Sequence, residues 1–366
     1  MIDTLKLSFT DYEVKMYDLN KAILENISSS FGVKLQSSCV MDVIEGNTEQ
    51  KLLFIDTDGV PCYGKQAYLN TKDFNVDLYN GLCVVQFSAP KVLTGKNYYT
   101  SSREETRQSI QKVQRDLSKY GIKTNLENAN VIRVDLTNTI QTKYTMSTYM
   151  PVLSMLNGKR AKDKRQYNAQ TMLWGNTQIQ VCCYDKIAEI LSYDPGANIE
   201  QYPQNSFRAE LRLLSKKKVQ SSLEIKTGAE IYKHWDNIKE SRENILRDFI
   251  FKTEPDSFRD YIFQDVSRTF TYYAMSGSRY WLREFFYTSG LVGVLKEISV
   301  EEMAEIYRNI LIEKGSTDGY IYKAVSTFKK KVENDLVAHL SNFGSPENKY
   351  TYAELYEEIY TKVLSA

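Results

Sequence analysis

Histidine is nearly absent from this chain: two residues, His234 and His339, among 366. They stand far apart and neither has a histidine neighbour, so a metal site built on a paired-histidine motif is excluded. The cysteines (Cys39, Cys62, Cys83, Cys182 and Cys183) are odd in number and show no metal-type spacing. The opening MIDTLKLSF carries neither the basic nor the apolar stretch of a leader. No apolar run reaches the length that spans a bilayer. These lacks predict a reducing, cytoplasmic setting and no membrane anchor. A strong net charge is missing as well: 47 Lys and Arg stand against 46 Asp and Glu, giving +1. Binding to nucleic acid would therefore need locally clustered cations.

What is present is an ordinary globular mixture, 42% apolar and 25% charged, long enough for two domains. Tyrosine is abundant, with 27 residues beside 15 Phe. Its flat ring and polar tip suit strands first, and interfaces or base stacking second. The front of the chain reads as strands: the opening segment, a hairpin in KLLFIDTDGVPCYGKQAYL turning at Asp58-Gly59, then Gly81–Ala89, Asn130–Asn138, Thr177–Lys186 and Ser206–Leu214. Ser102–Tyr120 is an amphipathic helix opened by a Ser102/Glu105 capping box. A short helix at Lys186–Asp194 stops at Pro195-Gly196. Beyond about Ser222 helical spacing takes over, at 231–251, 300–313, 322–340 and 352–364. The expected fold is α+β: an antiparallel β-sheet with helices on one face, followed by a mainly α-helical C-terminal domain. The expected domains are 1–220, a mixed α/β domain, and 221–366, a mainly helical domain.

Gly59-Val-Pro-Cys-Tyr-Gly64-Lys65 has the spacing of a phosphate loop. Gln66 stands where that loop needs a hydroxyl, Pro61 removes an amide, and no helix follows, so it reads as a hairpin turn.

Strand parity gives a sharper reading. Successive side chains point to opposite faces. Ile132, Val134 and Leu136 then share one face, and Val131, Arg133 and Asp135 the other. Phe207, Ala209 and Leu211 oppose Arg208, Glu210 and Arg212; Val181 and Cys183 oppose Gln180, Cys182, Tyr184 and Lys186. In one antiparallel sheet these polar sets gather on a single face. Asp135 and Glu210 there could hold Mg²⁺ or Mn²⁺ to polarise a phosphodiester. Arginines could seat phosphates, and Tyr184, aided by Lys186 and Arg133, could attack phosphorus. A solvated charged face is the bland alternative.

Four segments in order resemble the replication-initiation proteins of filamentous phages and related rolling-circle plasmids. They are Ser88-Ala-Pro-Lys-Val-Leu-Thr-Gly-Lys-Asn97, Ile132-Arg-Val-Asp135, Trp174-Gly-Asn with Tyr184-Asp-Lys-x-x-Glu189, and Phe207-Arg-Ala-Glu-Leu-Arg212. The resemblance spans residues 1 to about 225. It implies nicking and rejoining of one DNA strand at an origin, a free 3′ hydroxyl for polymerase, and rolling-circle synthesis; the expected partners are double- and single-stranded origin DNA, with host helicase and polymerase as further candidates. It makes Tyr184 the nucleophile, Asp135 and Glu210 metal ligands, and Lys186 and Arg133 supporting cations. Many rolling-circle nucleases hold their metal with a His-hydrophobic-His pair, which is missing here, so an all-carboxylate site is required. Its third acid is left open between Asp3 and Glu189, with Gln86 as a neutral oxygen.

For holding DNA, Gly158-Lys-Arg-Ala-Lys-Asp-Lys-Arg165 reads as a basic loop, with Lys159, Arg160, Lys162, Lys164 and Arg165 as phosphate contacts beside Arg208 and Arg212. Tyr98, Tyr99 and Trp174 are stacking candidates, with packing an equal alternative for each. The rival functions are an origin-binding initiator without cleavage, in which Asp135, Glu210 and Tyr184 would lie scattered, and a single-strand binder with stacked exposed tyrosines.

Overall fold

The computed structural model describes residues 1–14, 52–55, 61–64, 66–79, 82–167, 170–276, 280–282, 284–285, 298–343 and 351–365. It divides into two compact units. The first comprises Met1–Met150, Leu156–Ile250 and Val363–Ala366; the second comprises Pro151–Met155 and Phe251–Lys362.

The described strands, in chain order, are β1 (Ile2–Phe9), β2 (Glu13–Val14), β3 (Leu52–Ile55), β4 (Pro61–Gly64), β5 (Gln66–Asn70), β6 (Phe74–Tyr79), β7 (Leu82–Ser88), β8 (Ile122–Lys123), β9 (Asn130–Gln141), β10 (Asp163–Tyr167), β11 (Thr171–Gly175), β12 (Ile179–Asp185) and β13 (Ser206–Leu213). Nine of them form one antiparallel sheet in the order β10-β11-β12-β13-β9-β1-β7-β6-β5. β3 pairs with β4 as the expected hairpin; its Asp58-Gly59 turn lies outside the described residues. The first unit also holds helices α1 (Ala89–Thr94) and α2 (Arg103–Lys119), while α3 (Met146–Met155) spans the division. At the strand ends come α4 (Lys186–Tyr193) and α5 (Lys216–Leu223), with α6 (Gly228–Lys233) and α7 (Trp235–Phe249) closing the unit.

Alternation explains why the sheet packs on one side. Leu5, Leu7, Val85, Phe87, Val134, Leu211 and Val181 are fully buried or nearly so, and they share a face by register. Helix α2 is held by the expected capping box, with Ser102 accepting from the Glu105 amide and Glu105 from the Ser102 amide. It turns Ile110, Val113 and Leu117 inward, all fully buried. At about 25 cal/mol per Å² of apolar surface removed from water, this layer is the main stabilising term of the unit.

Parity fails at one expected place. Lys6 lies opposite Arg133 but Leu7 lies opposite Val131, so Ile132 is an extra residue in β9. This bulge sends Val131 into the core, fully buried, and leaves Ile132 half-exposed. A second bulge sits in β1: Ile2 faces Leu136 and Thr4 faces Asp135, leaving Asp3 as the extra residue.

The second unit is helical: α8 (Pro255–Met275), α9 (Val300–Glu313), α10 (Asp318–Phe343) and most of α11 (Tyr352–Leu364). Phe270, Phe285, Met303, Phe328 and Val332 form its core, and the Trp281 ring stacks on Phe328 with centroids 6.2 Å apart. Among the described residues no helix is long and apolar enough to cross a membrane.

Candidate active site on the polar face of the sheet

The face away from the core carries the candidate chemistry. Register places Asp135 beside Arg212 and Thr4, Glu210 between Thr137 and Cys182, and Arg208 between Thr139 and Tyr184. Arg133 lies opposite Lys6. The strands put Asp135, Glu210, Tyr184 and the three arginines on one face, with Arg208 beside Tyr184, while Asp135 lies level with Arg212 and Gln180, four residues along from Tyr184.

The electrostatic arrangement differs from an open metal site. Arg133 donates to both carboxylate oxygens of Asp135, from Nε at 2.9 Å and Nη2 at 2.6 Å. Arg212 Nη2 donates to Glu210 at 2.9 Å. Both acids are buried, at 1% and 4% exposure. Burial lifts the Asp135 pKa to about 6, against the opposing pull of Arg133. Asp3 is turned to this face by its bulge: its carboxylate accepts from Ser88 Oγ at 3.0 Å and lies 3.7 Å from Arg208 Nη1. Burial raises its pKa too. Each acid thus already has a guanidinium beside it. Among the described residues no group of three or more His, Cys, Asp or Glu is placed to hold a metal ion. Asp135 and Glu210 as packed here do not fit an open Mg²⁺ or Mn²⁺ site.

Tyr184 is 8% exposed. Burial first, then Glu210, pushes its phenol pKa far up, so it is a neutral phenol at physiological pH. Glu210, Arg208, Glu189 and Asp3 all act on it electrostatically. Its hydroxyl makes no hydrogen bond to a described residue. Asp185 faces away from this group and caps α4, accepting from the Ile187 and Ala188 amides at 2.9 and 3.0 Å. The cap brings Lys186 in at the first helical position, fully buried, with its ammonium paired to Glu189 and donating to Asn97 Oδ1 at 3.1 Å. Burial lowers the Lys186 pKa.

The segment from Ser88 to Asn97 now has a physical account. Pro90 suits the first turn of α1, where its missing amide costs nothing. Gly95 ends that helix at φ 74°, a left-handed conformation that glycine adopts without strain. The chain turns back and Asn97 meets Lys186. Its carbonyl accepts from Arg208 Nη2 at 2.7 Å, and the Tyr98 carbonyl accepts from the same nitrogen. Arg208 is fully buried and also donates from Nε to Thr139 Oγ1 at 2.8 Å. It is an interior strut and not the surface phosphate contact expected of it. Asn97 and Ser88 belong to the site although only their spacing drew notice in the sequence.

Two stacking candidates are corrected. Trp174 is fully buried and its indole donates to the Leu156 carbonyl at 3.0 Å. Tyr98 is 4% exposed, stacks on Tyr202 and hydrogen-bonds Ser206. Tyr99 is 63% exposed and keeps a free face. The Trp174-Gly175-Asn176 motif is a turn device: Asn176 Oδ1 accepts from the Gln178 and Ile179 amides at 2.8 and 3.1 Å.

The basic stretch is also not simply a loop. Lys159, Arg160 and Lys162 lie in the turn, while Lys164 and Arg165 are exposed on the edge strand β10. Lys159 pairs with Asp248 at 2.6 Å, and Arg165 with Asp163 at 3.5 Å. Arg160 sits at φ 59°.

Residues 71–233 match the family described as the N-terminal region of a phage replication-associated protein. That stretch, somewhat under half of the chain, holds every candidate above except Asp3, Thr4, Lys6 and Asp248, and the match is consistent with a replication initiator of the filamentous-phage type. No curated protein matches the chain.

Proposed function

We propose that this initiator nicks and rejoins one DNA strand at its origin, with Tyr184 as nucleophile. The observation that carries the reading is the Tyr184 hydroxyl, bonded to no described residue, on the sheet face of Glu210, Arg208 and Arg212 and within electrostatic reach of Glu210, Arg208, Glu189 and Asp3. The rival binding-only initiator expects these groups to be scattered; the adjacency of Tyr184, Arg208 and Glu210 across β12 and β13 favours cleavage.

In the proposed step the Tyr184 oxygen bonds to phosphorus as the P–O3′ bond breaks. The phenol proton passes to a neighbouring carboxylate, Glu210 by position, and the 3′ oxygen takes a proton from solvent. Arg212 and Arg133, both part-exposed, neutralise the charge that builds on the phosphate oxygens. The phosphotyrosyl ester keeps the energy of the broken bond, so the reverse attack by a 3′ hydroxyl reseals the strand without a nucleotide cofactor. The Mg²⁺ or Mn²⁺ expectation enters only as a variable of the assay.

The test is nicking of supercoiled DNA carrying the cognate origin, with and without Mg²⁺ or Mn²⁺, by wild type and Tyr184→Phe. The expected result is a covalent protein–DNA adduct in wild type, with nicking lost and DNA binding kept in the variant. Equal nicking by both proteins removes Tyr184 from the role. Tight origin binding by wild type without nicking under any condition moves the reading to the binding-only initiator.

A further inference from the structure

On the far side of the sheet from β10 the polar face opens into a cleft. Thr4, Asn75, Gln86 and Ser88 line it, with Lys72 and Lys91 at its rim. Its volume is about 260 Å³, below the roughly 300–1,000 Å³ of pockets that enclose small-molecule ligands. It suits a segment of extended polymer better than an enclosed metabolite.

Its charge is one-sided. Lys72 and Lys91 are exposed and make no ion pair with a described residue. The acid in the lining, Asp73, is neutralised by Lys112 at 3.0 Å. The turn that presents Lys72 is rigid: Thr71 Oγ1 donates to the Phe74 carbonyl at 2.6 Å and accepts from the Phe74 amide at 2.9 Å. The cleft is also continuous with the candidate site. Asn75, Gln86, Lys6 and Arg133 are successive cross-strand neighbours over β6, β7, β1 and β9. In the adjacent row Ser88 touches Asp3, which stands beside Arg208.

We propose that this cleft and the row leading from it are a binding site for the sugar–phosphate backbone of single-stranded DNA, carrying the unpaired strand across β7, β1 and β9 on the face that also bears Tyr184. Lys72, Lys91 and Lys6 take phosphates, and the Asn75 and Gln86 amides meet sugar and base edges. An extended single strand can follow a row of side chains across the sheet. The inference rests on the nicking reading for its purpose but not for its test.

The experiment is fluorescence anisotropy of a labelled oligothymidylate titrated with the full chain over a range of salt concentrations. Lys72→Glu/Lys91→Glu is compared with wild type and with a charge-matched control on helices α6 and α7, Lys233→Glu/Lys239→Glu. Each single-strand phosphate contact contributes a slope of about 0.7 in log K against log salt. Loss of two contacts should flatten the slope by about 1.4 and weaken binding about tenfold or more at low salt, with the control close to wild type. An unchanged slope, or a control that falls equally, overturns the proposal, as does wild type that binds duplex but no single strand. Circular dichroism of the variants confirms that the fold is kept. Because binding is read without cleavage, a failed Tyr184 test and a failed cleft test are separate results.

Discussion

Arg208 offers the most demanding test of how this site is built. Its guanidinium is fully buried, donates to Thr139 Oγ1 and to the carbonyls of Asn97 and Tyr98, and lies 3.7 Å from Asp3. Arg208→Met keeps much of the volume and removes every one of those donors. It leaves the Asn97 carbonyl unpaired, the Tyr98 carbonyl with only a 3.5 Å bond from Thr139 Oγ1, and the buried Asp3 carboxylate with Ser88 but no guanidinium. Removing one partner of a buried ion pair costs about 3–5 kcal/mol, a large share of the roughly 5–15 kcal/mol that holds a domain folded. The right assay is native-state amide exchange, because the chain has two units and a single melting curve would blend them. Exchange in β9 and β13 should accelerate by about 10²- to 10⁴-fold, at about 1.4 kcal/mol per tenfold. The comparison variant is Lys159→Met, whose pair with Asp248 is half-exposed on both sides and should cost under about 1 kcal/mol. If Arg208→Met exchanges no faster than Lys159→Met, the strut reading is wrong and the guanidinium is exchanging its partners for water.

Two further outcomes follow from geometry. Burial raises the Asp135 pKa to about 6 from 3.8, so the folded chain retains a proton that the unfolded chain releases. Its contribution to stability therefore falls as pH rises from about 4 to about 6 and is flat above. Asp135→Asn should gain on wild type across that window, measured by the same exchange experiment; a difference that moves the other way means the Arg133 bonds outweigh burial. At Gly175 an added Cβ would stand 2.5 Å from Gln180 Cγ and 2.8 Å from the Ile179 carbonyl. Gly175→Ala should cost about 1–3 kcal/mol and speed exchange in the β11–β12 hairpin, and an unchanged hairpin would show that the turn relaxes freely.

The shared polar face was legible because two-residue alternation is a strong signal wherever the opposite face is apolar, as in Phe207–Arg212. The bulges were not, since one extra residue leaves no mark in composition: Ile132 and Asp3 look like any strand residues, yet each resets which side its neighbours occupy. Residue types on the face were readable but their pairing was not. Arg133 and Asp135, two apart on one strand, were read as separate helpers of a reaction and turn out to bind each other. Trp174 and Tyr98 were misread because an aromatic ring suits a core and a base stack equally, and only burial separates the two. β10 looked like a loop because DKRQY has no apolar alternation, all five residues being exposed.

That last strand has a consequence of another kind. Among the described residues β10 ends the sheet and pairs on one side only, with β11. An edge with unsatisfied amides and carbonyls invites a strand from a second molecule, and lysine and arginine along it deter such growth through repulsion and hydration. Lys164 and Arg165 would keep the sheet finite whether or not they ever touch DNA. Neutralising them to probe DNA binding would risk self-association, and a turbid sample would mimic lost affinity. Reversing their charge to Glu removes phosphate attraction while keeping the edge charged, which is the cleaner way to ask what those cations are for.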